Sequence, residues 1–159
     1  MASAPRDRLR DQEENAERKA AMAALAAASA EDVRALWQAA AFAIEAKALR
    51  GPETGLVTLR GRMGGGGAPF NFGEATVTRA TVRLSTGEIG HSYALGRDSE
   101  KARISATVDA LWQRADMRAA VEDRIIAPLR DRAAQADAQR RAETAATRVD
   151  FFTMVRGED

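Results

Sequence analysis

Arginines recur along the segments of this sequence that are richest in valine and threonine. Arg60 and Arg62 are two residues apart, Arg79 and Arg83 are four apart, and Arg97 follows a glycine. On a β-strand, residues two or four apart share a face, so each pair would project one cationic surface. Such a surface is either solvated and edge-protecting or holds phosphate or carboxylate groups through the planar guanidinium fork. Both interpretations stay open from the residues alone.

Four consecutive glycines, at positions 64–67, raise the question of a phosphate-binding loop. A nucleotide-binding P-loop ends in Gly-Lys-Ser/Thr, whose lysine and hydroxyl reach the phosphates and Mg²⁺. Here the run leads into Ala-Pro-Phe and opens no helix, so we predict a flexible connection between strands. Because glycine lets the backbone approach a ligand or a partner closely, Gly64 and Gly65 stay candidates for binding.

One histidine, His91, and the lack of cysteine limit the catalytic chemistry that this chain can carry. Thiol nucleophiles, disulfides and iron–sulfur clusters are excluded, and a histidine-based metal site or triad is disfavoured. His91 could be a general base, but no neighbour in sequence completes a site, so we expect a half-buried structural histidine. Asp98 could ligate a metal, but a helix N-cap already explains it. We therefore predict no catalytic residue, no metal and no cofactor in this chain.

Length and charge favour one domain without a strong attraction to nucleic acid or membranes. The 159 residues suffice for a single core, and 24 Lys and Arg against 23 Asp and Glu give a formal charge of +1. Residues 1–15 are predicted to be disordered or the start of a fraying helix, and residues 16–159 to form one α+β domain. With no apolar signal core and no run of membrane-spanning length, we expect a cytoplasmic protein.

Alanine-rich segments predict helices on both sides of the central part of the chain. The first helical region, 16–41, divides at Ser29, an N-cap residue followed by Asp32 three positions on. Asp98 caps the second helical region, 98–147, whose first helix has an apolar stripe at helical spacing. That stripe consists of Ile104, Val108, Leu111, Trp112 and Ala115. A helix has to bury such a stripe, so we expect this one to cover a sheet.

Between the helical regions, residues 42–96 alternate apolar and polar side chains as β-strands do. We predict four strands: two around the turn sequence RGPETG, one in EATVTRATVRL and one in EIGHSYALG. In the fourth strand, Ile89, His91, Tyr93 and Leu95 share a face. The predicted fold class is α+β, with an antiparallel four-stranded meander flanked by N-terminal and C-terminal helices and followed by an apolar C-terminal tail.

The chain ends in RVDFFTMVRGED, an apolar tail (149–159) after a polar segment. Pro128 is expected in the first turn of that preceding helix, over about 129–147, which has little apolar surface of its own. Burying the two phenylalanines of the tail would stabilise the protein by roughly 3–6 kcal/mol. The tail therefore packs either on its own domain or against another protein.

Several segments together resemble the PhnG family, the G subunit of the bacterial carbon–phosphorus lyase core complex. They are ETGLVTLRGRMGGGGAPFNFGEATVTRATVRL, GHSYALGRD, IIAPL and the closing RVDFFTMVRGED. The resemblance covers about two thirds of the chain, from Glu53 onward, and the closing block is its most specific part.

The resemblance implies a subunit of an assembly rather than a free enzyme. It implies assembly with the H, I and J subunits, and joint action with the L subunit in a step that displaces adenine from ATP with a phosphonate. ATP and the phosphonate would be substrates of the complex, with the I subunit as the catalyst. The family context also favours a tail that lies against a partner. The candidate binding or interface residues are Arg62, Gly64, Gly65, Arg79, Arg97, Asp150, Phe151, Phe152, Met154 and Arg156.

Two positions depart from the family pattern, and two other classes of protein remain in competition. Gly66 replaces a threonine and Ala80 a cysteine common in the family, so neither a hydroxyl nor a thiol acts there. A stand-alone module that binds RNA or a phosphorylated ligand through the strand arginines is disfavoured by the near-zero net charge and the scarcity of aromatics. An independent hydrolase is disfavoured by the single histidine and the lack of cysteine.

Overall fold

A computed structural model of the chain describes residues 5–63 and 66–147, with side chains from residue 12 onward. Its elements, in chain order, are α1 (Pro5–Ala27), α2 (Ala30–Ala40), β1 (Ala46–Gly61), β2 (Phe70–Leu84), β3 (Ile89–Leu95), α3 (Ser99–Trp112), α4 (Arg118–Val121), a π-helical turn (Glu122–Ile126) and α5 (Ala127–Ala146). The predicted α+β class, with helices before and after a sheet, is confirmed.

The two N-terminal helices are separated at Ser29, as predicted. The Ser29 hydroxyl accepts a hydrogen bond from the Asp32 backbone N–H at 3.0 Å and so caps α2. α1 begins at Pro5, within the first 15 residues. α2 ends at Ala40, and the C-cap residue Ala41, with a φ of 49° in the left-handed region, redirects the chain towards the sheet.

The sheet has three antiparallel strands in the order β1–β2–β3. The predicted meander is therefore confirmed, but the prediction of four strands is wrong. The expected turn RGPETG is the middle of one long strand, β1, whose register shifts by one residue on each side of Arg50. These bulges absorb the extra residues, Gly51 among them, without reversing the chain. Pro52 lacks an N–H and lies on the edge strand, where proline is tolerated.

α3 packs across one face of the sheet and supplies the centre of the core. Its residues Ile104, Val108, Leu111 and Trp112 are buried, as the helical stripe predicted. The stripe's last member was wrong, because α3 ends at Trp112, before Ala115. The contact with the sheet is close at Gly90, where an added Cβ would lie 1.9 Å from the Ala106 carbonyl oxygen.

The face of β3 that α3 covers is the face with the smaller side chains. Gly90 and Ala94 are buried, whereas Tyr93 and Leu95 on the opposite face are 54% and 72% exposed. His91 is also exposed, so the expectation of a half-buried histidine is wrong. His91 lies on the exposed face because α3 approaches the other face of β3 so closely that only small side chains fit there.

The last helical stretch is continuous from Arg118 to Ala146. α4, the π-helical turn and α5 follow one another without a break, and the Ala127 N–H donates to the Glu122 carbonyl five residues back. A π turn at this point accommodates Pro128, which has no N–H for the regular pattern. Pro128 does lie in the first turn of α5, as predicted, and the turn's Ile125 and Ile126 are buried.

Beyond the end of β3, the first two strands continue as a two-stranded ribbon. β3 pairs with β2 only as far as Val77, whereas β1 and β2 stay paired out to Gly61 and Phe70. β2 thus begins at Phe70, four residues before the predicted strand sequence EATVTRATVRL. Large apolar side chains exposed on and beside the ribbon are Leu56, Leu59, Met63, Phe70 and Phe72.

Candidate functional site

The face of the sheet opposite α3 carries most of the strand arginines, and we call it the open face. The antiparallel register sets its side chains in four rows that cross the strands from β1 to β3. These rows are Gly55–Val77–Leu95, Glu53–Arg79–Tyr93, Arg50–Thr81–His91 and Lys47–Arg83–Ile89. Paired residues of antiparallel strands share a face, so the first row is apolar and the other three bring the charges together.

Glu53 organises the centre of the open face by bridging two arginines. Arg79 donates from Nε and Nη2 to Glu53 Oε2 at 3.1 and 3.0 Å. Arg50 Nε lies 3.4 Å from the other carboxylate oxygen, Oε1. All three side chains are about half exposed, so these ion pairs contribute little stability. They bring both guanidinium groups to one carboxylate, which offsets part of the local positive charge.

Tyr93 and His91 border the arginines on β3. The His91 Nδ1 atom and the Thr81 hydroxyl are 3.2 Å apart, a hydrogen bond within one row. A cavity of about 400 Å³ opens here, lined by residues of three strands together with Met22 and Leu25 of α1 and Ser105 of α3. Residues of both faces of the sheet line it, among them Tyr93 and Ala94.

Lys47 and Arg83 form the end of the open face nearest the β2–β3 turn. They are directly opposite each other in the register, and both are exposed. No described carboxylate lies within 4 Å of either charged group, although Glu45 is in the same shallow pocket. Like charges directly opposite on neighbouring strands destabilise a sheet. The pair is therefore a cost to the isolated fold.

The strand that carries His91 is held from behind by a buried carboxylate on α3. Asp109, 1% exposed, accepts hydrogen bonds from the His91 backbone N–H and from Arg18 of α1. The bond to Asp109 raises the pKa of Arg18 above its ordinary value. Asp109 thus satisfies one backbone N–H on the free edge of β3 that would otherwise lack a partner in the sheet.

Asp98 and Lys101 fix the start of α3 against the N-terminal helices. Asp98 Oδ1 accepts from the Lys101 backbone N–H at 2.7 Å, so the predicted N-cap is confirmed. That hydrogen bond, with the positive charge of Arg34, lowers the pKa of Asp98. The Lys101 ammonium donates to the carbonyl oxygens of Ala26 and Ala28 at the end of α1. Burial lowers the pKa of Lys101.

The structure does not bring the predicted site arginines together. Arg79 lies on the open face, whereas Arg62 follows the end of β1 at Gly61. Arg62 lies nine positions beyond Glu53, the β1 residue opposite Arg79, which is a distance of roughly 30 Å along the strand. Arg97 is exposed between β3 and α3. Gly64, Gly65, Asp150, Phe151, Phe152, Met154 and Arg156 lie outside the described residues.

Sequence reasoning missed several members of this site, including Lys47. Glu53 and Arg50 lie in the sequence RGPETG, which was predicted to be a turn. Only the bulged register of β1 sets Glu53 opposite Arg79. The sequence placed Tyr93 on one face with Ile89, His91 and Leu95. It did not indicate that α3 covers the opposite face and leaves Tyr93 exposed. Among residues 12–63 and 66–147, no group of three or more His, Cys, Asp or Glu side chains is arranged to hold a metal ion.

Comparison with known proteins adds two findings. The family model described as "Phosphonate metabolism protein PhnG" matches residues 16–157, a range that includes all three strands of the open face. The alpha-D-ribose 1-methylphosphonate 5-triphosphate synthase subunit PhnG of Rhizobium meliloti (strain 1021) is 55% identical over 148 residues. The matched residues cover 91% of this chain and 92% of that protein.

Proposed function

This chain belongs to the PhnG family of phosphonate metabolism proteins, and on that premise we propose that it is an accessory subunit of an alpha-D-ribose 1-methylphosphonate 5-triphosphate synthase. The observation that carries the proposal is the 55% identity to the Rhizobium meliloti subunit over 91% of the chain. The resemblance in the strand, IIAPL and C-terminal segments led to the same family. The relative is named as one subunit of a synthase, so a hetero-oligomer is the supported state.

The reaction of such a synthase joins a phosphonate to the ribose of ATP. In this proposal a phosphonate oxygen attacks C1 of the ribose, the bond from C1 to adenine breaks, and adenine leaves with the electron pair and takes up a proton. The triphosphate stays on C5 of the sugar. ATP and the phosphonate are the substrates of the complex, and this chain holds no cofactor of its own.

The chemistry of the step belongs to other subunits in this proposal. A sequence with one histidine and no cysteine offers few groups for general acid–base or nucleophilic work. The one histidine, His91, is exposed and hydrogen-bonded to Thr81. Its neighbours on the open face are arginines and a tyrosine, which suit recognition better than catalysis.

The proposed partners are the H, I and J subunits, with the L subunit for the synthase step. Contacts to them are proposed for Arg62, Gly64, Gly65, Arg79, Arg97, Asp150, Phe151, Phe152, Met154 and Arg156. No helix among the described residues is long and apolar enough to cross a membrane. We place the complex in the cytoplasm as part of the same proposal.

Co-expression tests the proposal. An affinity-tagged copy of this chain is expressed with and without the H, I and J subunits encoded by the same organism, and the complex is isolated by affinity and size-exclusion chromatography. The expected result is a stable complex that contains this chain in fixed ratio to the others. Recovery of the other subunits as a complete complex that excludes this chain would refute it.

A further inference from the structure

The open face has the exposure of a surface that is covered in an assembly. Tyr93 is 54% and Leu95 is 72% exposed. Leu95 pairs with Val77 of β2, which is only 5% exposed, so Leu95 is the exposed apolar side chain of that row. The helix that packs on the sheet, α3, covers the other face, where Ala80 and Val82 are buried. Large apolar side chains next to arginines are a common composition at the centre of protein interfaces.

The charge of the open face is strongly one-sided. Lys47, Arg50, Arg79 and Arg83 are basic, and within the four rows only Glu53 is acidic. Glu53 is already occupied by Arg50 and Arg79. The Lys47–Arg83 pair has no neutralising carboxylate within 4 Å among the described residues, and its repulsion lowers the stability of the isolated chain. A partner that presents carboxylates would relieve it.

Two other occupants fit this face less well. A second copy related by a two-fold axis would set the same patch against itself, so two faces that are both mainly basic would meet. A small oxyanion such as phosphate could bind the Lys47–Arg83 pair but would leave the large apolar side chains of Tyr93 and Leu95 exposed. A protein surface can place its carboxylates over Lys47 and Arg83 and its apolar groups over Leu95, and so avoid Glu53.

We propose that the open face docks an acidic surface of a different protein chain, with carboxylates opposite Lys47 and Arg83 and apolar contacts on Tyr93 and Leu95. The proposal rests on the proposed function, because the partner is taken to be another subunit of the same complex. It identifies the side of this subunit that faces that partner, and the chemistry of the partner's surface. Electrostatic complementarity of this kind governs the choice of partner and the rate of association.

A charge reversal at Lys47 separates docking from folding. In Lys47→Glu, the new carboxylate lies opposite Arg83, so a like-charged pair becomes an ion pair. The isolated variant is therefore expected to melt at the same temperature as the wild type or slightly above it. Its affinity for the complex of the other subunits is expected to fall about tenfold or more. Substitution of a residue with a merely structural role would not raise the melting temperature of the chain and weaken its binding to the complex at the same time.

The matched control is Arg103→Glu, which makes an equal charge change at an exposed position of α3, away from the open face. Binding is measured by biolayer interferometry against the immobilised partner complex at two salt concentrations. Tyr93→Ala is a second probe that leaves the charge unchanged. We expect both open-face variants to bind weakly and the control to bind as the wild type does. Equal binding by Lys47→Glu, Tyr93→Ala and the wild type would overturn the proposal.

Two further arms address the other occupants. If the wild-type chain alone forms a dimer by analytical ultracentrifugation and Lys47→Glu abolishes it, the face joins two copies and the proposal is wrong. If inorganic phosphate or ATP binds the isolated wild type and Lys47→Glu abolishes that binding, the face is an oxyanion site and the proposal is again wrong. The wild type's own entry into the complex tests the proposed function separately, so failure of either claim is recognisable.

Discussion

Arg18 and Asp109 form a two-bond fork between α1 and α3: Arg18 Nε donates to Asp109 Oδ1 and Nη2 to Oδ2, each at 2.8 Å. The same Oδ2 atom accepts the His91 backbone N–H at 2.8 Å. One carboxylate, buried under the sheet edge, thus joins two helices and a strand that are distant in sequence. Since His91 and Tyr93 lie on that strand, the fork sets the position of one side of the open face.

Replacing Asp109 by alanine should destabilise the chain by about 3 kcal/mol, because the change leaves the His91 N–H and the Arg18 guanidinium without their partner. Arg18→Lys should cost less, because lysine keeps the charge but loses the fork. Urea unfolding followed by circular dichroism measures both changes. An Asp109→Ala variant as stable as the wild type would show that the fork contributes nothing to the fold.

Gly90→Ala should destabilise the chain by roughly 3 kcal/mol, since a close-packed contact cannot absorb an added methyl group. The new Cβ would lie 1.9 Å from the Ala106 carbonyl oxygen and 2.5 Å from the Ala110 nitrogen, both backbone atoms of α3. Gly55→Ala is the matched control, because a Cβ at that position meets no atom within 4 Å. The melting temperatures of the two variants are compared with that of the wild type. Similar values for both variants would contradict the close approach of α3 and β3.

The cap of α3 should make part of the stability depend on pH. The hydrogen bond from the Lys101 N–H and the charge of Arg34 lower the folded-state pKa of Asp98 from 3.8. Ionised Asp98 therefore contributes stability that is fully present above the unfolded-state pKa. The contribution disappears as pH falls through the lowered folded pKa. The difference in unfolding free energy between wild type and Asp98→Asn should therefore be largest at neutral pH and shrink below about pH 4. Asp123→Asn, at an exposed position, is the control. A difference that stays constant down to pH 2 would show that Asp98 has no such role.

The fold class could be predicted from the sequence because its signals are local. The caps at Ser29 and Asp98 depend on residues within three positions, and the α3 stripe depends on helical spacing. The number of strands could not be read in the same way. RGPETG has the composition of a turn, and its place inside β1 follows from pairing with β2, about 30 residues away. Pairing over that distance leaves no local mark on the sequence.

The candidate site was predictable only in part, for a related reason. Alternation correctly placed Ile89, His91, Tyr93 and Leu95 on one face, but which face α3 covers depends on how closely it approaches Gly90. Arg79 was singled out correctly as a strand arginine. Its partner Glu53 was not, because the bulges of β1 decide which residue lies opposite Arg79.

Removal of residues 149–159 tests the prediction that the apolar tail contacts a partner. If the tail docks on another subunit, the truncated chain should keep the melting temperature and helical circular dichroism of the full chain but fail to join the complex. Phe151→Ala combined with Phe152→Ala should have the same effect in milder form. A truncated chain that unfolds would assign the tail to the domain's own core, and the lost burial would be roughly 5–10 kcal/mol. A truncated chain that assembles normally would refute the partner contact.

The most direct test of the central claim is adenine release from ATP and methylphosphonate, followed by chromatography. The reaction contains the H, I and L subunits with or without this chain, and a third reaction contains this chain alone. If the chain is an accessory subunit of the synthase, adenine appears only when it is combined with the other subunits. Adenine release by the chain alone, or full activity of the other subunits without it, would contradict the account.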